Sequence, residues 1–274
     1  MHQVIIFLLS IYLRLVNFFS SRLGGKHAFL LFCYPFPLKL KKHQSDFLKT
    51  GSLSYDDFEG KQIAQYQWGD GKEVILCLHG WQSSSFRWKK YVEAFDKNKY
   101  KVICIDAPAH GKSDGVLFNV PMYSRLIQQL LERNKIDYIL SHSLGAFSTM
   151  YLLSKNPVLS PKKVIALGTP NHADYFIDEF IRVLDLSTKI RENLVNYFSD
   201  YSGMITKDFD SKLFAKNQNS IGLIVHDQND KEAPFEYARD MAELWPRSTF
   251  TGTKGFGHKL RDESVVQEVV KFLE

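Results

Sequence analysis

Cysteine is scarce in this sequence, three residues in 274, and its scarcity excludes a disulfide framework. Cys77 and Cys104 sit inside continuous apolar runs, where a free thiol behaves as a small hydrophobe. That usage suits a reducing compartment, so a cytoplasmic location is expected. The cysteines and histidines show no metal-ligand spacing, and no metal is expected. Charge of one sign is also lacking: the net excess is +5, from 35 Lys and Arg against 30 Asp and Glu. The densest basic group (Lys39, Lys41, Lys42) is short and comes with no readable nucleic-acid motif. A nucleic-acid partner is therefore not expected. Internal repeats and low-complexity tracts are absent, and so is a clean run of about 20 apolar residues, the length that crosses a bilayer.

The nearest approach to such a run is Val4 to Phe19, which is shorter and carries Arg14 and Asn17. Only His2 and Gln3 lie between the initial Met and this run, and no small-residue cleavage pattern follows it, so a secretory signal is not expected. Gln3, Ser10, Arg14, Asn17 and Ser21 are spaced by seven, four, three and four residues. At about 100° per residue they form one narrow polar stripe on a helix. The remaining wide apolar face must be covered, by the domain or by a lipid interface. Arg14 and the missing basic n-region favour docking on protein. Peripheral membrane contact through this helix, and hence a membrane-associated location, is the alternative.

What is present is an ordinary globular interior, 45% hydrophobic with 21 Phe and 13 Tyr. From about Gln62 the pattern becomes regular. Gln62 to Trp68 alternates apolar and polar, as an edge or antiparallel strand does. Val74 to Leu78, Val102 to Ile105, Asp137 to Leu140, Val164 to Leu167 and Ile221 to Val225 are short runs that read as buried strands, and Ser248 to Thr251 is the last strand. Helices are expected between them, from Phe86 to Asp96, after an Asn119 cap with Pro121 in its first turn, after Gly145, and from Glu263. Strands alternating with helices predict an α/β fold: a mostly parallel sheet with helices on both faces. About 171–219 breaks the alternation with two amphipathic helices, the second capped by Ser187, and reads as a small helical cap. The expected organisation is an apolar helical segment and linker at 1–50, then one domain at 51–274 carrying that cap.

Ser141-His142-Ser143-Leu144-Gly145 falls between a strand and a helix. This is the context of a nucleophile elbow, a sharp turn that lifts a serine oxygen out of the sheet at a helix N-terminus. The crowded turn needs small residues two before and two after the serine. Gly145 meets that need, and Ser141 stands where glycine is commoner. His79-Gly80-Trp81 ends one buried strand, and Asp106-Ala107-Pro108-Ala109-His110-Gly111-Lys112-Ser113 follows the next. His226 to Pro234 follows a later strand, and Gly255-Phe256-Gly257-His258 the last.

Together these motifs resemble the α/β-hydrolase superfamily, from about Gln62 to the C-terminus. The resemblance implies a nucleophile at Ser143 and an orienting acid at Asp230, four residues before Pro234, with Asp227 shaping the turn instead. It implies a general base at His258. The chain order Ser, Asp, His is that of the superfamily. The backbone amides of Trp81 and Leu144 are the implied oxyanion donors. Asp106 and His110 are implied to be structural, and no cofactor is implied. The expected activity is hydrolysis of a carboxylic ester or related acyl bond in a small apolar substrate. The alternatives are a lipid hydrolase or thioesterase at a membrane surface, and a non-catalytic ligand-binding protein on the same fold.

Overall fold

A computed structural model describes residues 2–274. Eight strands form one sheet: β1 (Ser52–Phe58), β2 (Lys61–Trp68), β3 (Glu73–Leu78), β4 (Tyr100–Ile105), β5 (Tyr138–His142), β6 (Lys163–Leu167), β7 (Ile221–Asp227) and β8 (Ser248–Thr253). Their order is β1-β2-β4-β3-β5-β6-β7-β8. β2 is antiparallel to both β1 and β4, and the strands from β4 to β8 run parallel. The helices are α1 (His2–Phe19), α2 (Ser21–Phe32), α3 (Lys42–Leu48), α4 (Lys89–Ala94), α5 (Val120–Arg133), α6 (Leu144–Lys155), α7 (Ala173–Val183), α8 (Thr188–Ser202), α9 (Ser211–Ala215), α10 (Phe235–Leu244) and α11 (Glu263–Leu273).

The continuous apolar runs become the central parallel strands because both of their faces are covered. On β3, Ile75 and Cys77 alternate with Leu76 and Leu78, and all four are fully buried. Ile75 and Cys77, with Val102, Cys104, Leu140, Ile165, Leu223 and Val225, join one core cluster with Trp88, Tyr91, Val265 and Val269. That core belongs to the α4 and α11 side, where those two helices pack together; α5, α6, α9 and α10 contact one another in sequence as a second group. The expected Phe86–Asp96 helix is shorter, a 3-10 turn at Ser85–Trp88 followed by α4. β1 lies between the linker expected within 1–50 and the first expected strand at Gln62, where the sequence shows no strand pattern. Its Ser-Leu-Ser-Tyr-Asp-Asp-Phe run is almost wholly exposed and pairs only with β2, so it lacks the alternation that marks a strand.

The chain divides into two units: Pro35–Asn171 with Ser211–Glu274, which carries the sheet, and Met1–Tyr34 with His172–Asp210, which is helical. The N-terminal segment expected at 1–50 thus divides after Tyr34, with α3 on the sheet unit. The insertion expected at about 171–219 contributes His172–Asp210 to the helical unit, whereas α9 lies in the sheet unit. Ser187 caps α8 through its side chain.

Within the helical unit α1 lies against its neighbours by a side that includes Ser10 and Asn17 of the polar stripe, while Gln3 and Arg14 stay exposed. Leu13 and Ser10 are buried, and Ile6, Leu9, Val16 and Asn17 are half-buried. The Arg14 guanidinium donates to the Asp185 carboxylate at 2.7 Å, and Asn193 donates to the Asn17 side chain at 2.7 Å. Phe29 of α2 packs on Tyr197 and Tyr201 of α8. The wide apolar face of α1 is not covered by this docking.

Candidate active site

The site is assembled at the C-terminal ends of β3, β5, β7 and β8, all within the sheet unit. β5 ends at His142, and the chain turns at once into α6 with Ser143 at φ 52°, ψ −126°. A residue with a side chain rarely adopts this conformation, which costs about 1–3 kcal/mol. The turn is held by the Ser143 N–H donating to Leu167 O and by Phe147 N–H donating to Ser143 O, both at 2.9 Å. A Cβ on Gly145 would lie 2.3 Å from Leu78 O, so the backbone of β3 dictates glycine there. Ser141 is accommodated by donating its hydroxyl to Ile165 O on β6 at 2.7 Å, so its extra oxygen is both buried and satisfied.

The structure brings the three separated residues together. His258 Nε2 lies 3.0 Å from Ser143 Oγ, and His258 Nδ1 lies 2.8 Å from Asp230 Oδ2. The second Asp230 oxygen accepts the N–H groups of Glu232 at 2.8 Å and Ala233 at 3.0 Å. Burial works to raise the Asp230 carboxyl, but hydrogen bonds from His226 and His258 outweigh it and hold the group well below the usual carboxylate range. An ionised Asp230 only accepts, so His258 Nδ1 carries the proton and Nε2 is left to accept from the Ser143 hydroxyl.

Four side chains that sequence reasoning left out of the site fix this arrangement. His226, fully buried, donates from Nε2 to Ala233 O at 2.9 Å and stands 3.3 Å from Asp230 Oδ2. Asn229 accepts Gly255 N–H at 3.0 Å. His142 donates from Nε2 to His258 O at 2.8 Å, and Arg87 donates to Lys259 O at 2.6 Å. Asp227 bonds its own turn through Asn229 N–H and also accepts Phe256 N–H at 3.0 Å. The loop around His258 is therefore pinned at residues 255, 256, 258 and 259. Gly257, at φ 58°, supplies the left-handed turn just before the imidazole. Glu232, mostly exposed, brings a carboxylate within 3.6 Å of His258 Nε2.

Trp81 follows Gly80, and a Cβ on Gly80 would lie 2.7 Å from Ser143 Cβ and 3.1 Å from Leu144 N. The loop from β3 therefore runs directly beside the start of α6. Among the described residues neither the Trp81 nor the Leu144 amide donates to a protein acceptor. Two buried histidines bracket Trp81. His79 donates from Nδ1 to Gly80 O at 2.7 Å and accepts Ala107 N–H at Nε2. His110 donates from Nδ1 to Pro108 O at 2.9 Å and accepts Gln82 N–H at Nε2 at 3.0 Å. Burial pushes His79 down to about 4 and His110 down to about 3. Both rings are thereby neutral, as acceptance at Nε2 requires. Asp106 is closed in its own loop, accepting Ser85 N–H at 2.7 Å and Lys112 N–H at 2.9 Å, and does not join the Ser143 group. No cluster suited to a metal ion is found among the described residues.

A family model for the alpha/beta hydrolase fold matches residues 73–221, which span β3 to the start of β7. An uncharacterised hydrolase, YugF of Bacillus subtilis, is 20% identical over 250 residues, 74% of this chain and 91% of its own length. A 2-hydroxy-6-oxononadienedioate/2-hydroxy-6-oxononatrienedioate hydrolase of Paraburkholderia phymatum is 26% identical over 117 residues, 40% of this chain and 41% of that protein. Among solved structures, a putative lipase of Acinetobacter baumannii superposes with a TM-score of 0.65 at 16% identity, covering 86% of this chain and 96% of the other. That likeness is one of fold.

Proposed function

Because the chain belongs to the α/β-hydrolase family, we propose that it is a serine hydrolase that cleaves a carboxylic ester or related acyl bond. The observation that carries this reading is the unbroken hydrogen-bonded series Ser143–His258–Asp230. Ser143 Oγ attacks the acyl carbon while His258 Nε2 takes its proton. The carbonyl π bond opens to an oxyanion, which the amides of Trp81 and Leu144 receive. Collapse breaks the bond to the leaving alcohol, which takes the proton from His258. Water then attacks the acyl-serine by the same proton path, releasing the acid and restoring Ser143. Asp230 holds the imidazolium and its orientation throughout.

The test is fluorophosphonate labelling of wild type, Ser143→Ala and His258→Ala, paired with a chain-length series of nitrophenyl esters. Labelling that vanishes in both variants, with ester turnover in wild type, is the expected result. Well-folded wild type that neither labels nor turns over esters would overturn it in favour of a ligand-binding protein on this fold. The 2-hydroxy-6-oxononatrienedioate named for one relative belongs in the substrate panel. Turnover of that compound alone would keep Ser143 in its role and replace the ester as substrate.

A further inference from the structure

A helix on a water-soluble surface turns its polar residues outward, whereas the outward side of α1 is mainly apolar, with Gln3 and Arg14 exposed along one edge. Here Arg14 and Asn17 are engaged by Asp185 and Asn193 of the same helical unit, and Ser10 is buried. Beyond that edge the exposed side chains of the helix are apolar and aromatic, among them Val4, Phe7, Leu8, Leu15, Phe18 and Phe19. At about 100° per residue these exposed positions sweep close to half the circumference without a charge among them. Phe18 and Phe19 are 83% and 82% exposed. A contiguous apolar face of this kind marks an interaction surface.

We propose that this face of α1 docks on an anionic lipid surface, the helix lying in the plane of the headgroup–acyl boundary. Charge selects the occupant. The first 45 residues contain six Lys and Arg and no Asp or Glu, and Asp46 is the first acid. Arg22 and Lys26, both exposed, follow Phe18 and Phe19 within about two turns at the start of α2. A second copy of the chain on this face would set these cations against each other, whereas anionic headgroups neutralise them. No helix among the described residues is long and apolar enough to cross a membrane, so the contact is interfacial. This inference concerns the helical unit and stands whether or not Ser143 is a nucleophile.

The test is flotation of the full chain with vesicles of phosphatidylcholine alone and of phosphatidylcholine with phosphatidylglycerol. Wild type is expected to float with the anionic vesicles and to be released by added salt. Phe18→Ser/Phe19→Ser and Arg22→Glu/Lys26→Glu are each expected to weaken that binding about tenfold or more. All four side chains are exposed, so circular dichroism and fluorophosphonate labelling are expected to be unchanged in both variants. Wild type that stays unbound with both vesicles would overturn the proposal. So would binding insensitive to the Phe pair, or a dimer in sedimentation velocity that dissolves in the Phe variant while no vesicle is bound.

Discussion

In the proposed mechanism Asp230 has two tasks, to stay ionised and to keep one tautomer of His258. Asp230→Asn leaves shape nearly unchanged but removes the charge that the His258 N–H faces and offers an amide in its place. The expected cost is roughly 10³–10⁴ in kcat, by analogy with the amide substitution in the Ser-His-Asp template. A thermal midpoint near that of wild type would accompany it. A loss of less than tenfold would mean that Asp230 does not orient the base. Glu232 makes the contrasting case. Its carboxylate is also near His258, at 3.6 Å, but it is two-thirds exposed and is screened by water. Glu232→Gln is expected to change kcat/KM by no more than about threefold. A larger effect, growing at low salt, would give Glu232 a share in stabilising the imidazolium.

At the scale of elements, the elbow depends on backbone-to-backbone approach. Gly145→Ala puts a methyl 2.3 Å from Leu78 O and 2.8 Å from His79 O, so α6 must move away from β3. The expected outcome is a stability loss of about 2 kcal/mol or more in denaturant melts, with fluorophosphonate labelling lost along with the turn. Labelling at the wild-type rate would show that α6 can shift without disturbing Ser143. The central strands and this turn were legible in the sequence because each is a local pattern: an apolar run buried on both faces, then small residues at fixed offsets. β1 was not legible, because an exposed edge strand paired on one side has no burial pattern to read. The positions of His142 and Arg87 were not legible either. Their partners His258 and Lys259 are 116 and 172 residues away, and no spacing rule reaches that far. The polar stripe of α1 could be read from the sequence, but the side it turns to the protein could not.

Over the whole molecule, the histidines held neutral by burial add up to an acid-sensitive fold. His79 and His110 titrate at about 4 and about 3 in the folded chain, and His142 is also held well below its ordinary value by burial. In the unfolded chain each takes up a proton near pH 6.5. Between these limits the unfolded state binds more protons than the folded one, so stability falls as pH drops below about 6.5. Asp230 acts in the same direction at lower pH, since its folded carboxyl is depressed and its contribution is lost as it protonates. The shift of His79 alone is worth about 3 kcal/mol across its window, a large share of a typical 5–15 kcal/mol of total stability. Urea midpoints taken at about pH 7, 5.5 and 4.5 are therefore expected to fall steadily, with unfolding near the acid end. In His110→Gln, whose side-chain oxygen can still accept the Gln82 N–H, the slope is expected to flatten while the value at pH 7 changes little. A profile level from pH 7 to 4.5 would mean that these rings are charged inside the fold. The bonds from Ala107 and Gln82 to their Nε2 atoms could not then exist, and the loop that carries Trp81 would have to be held by other contacts.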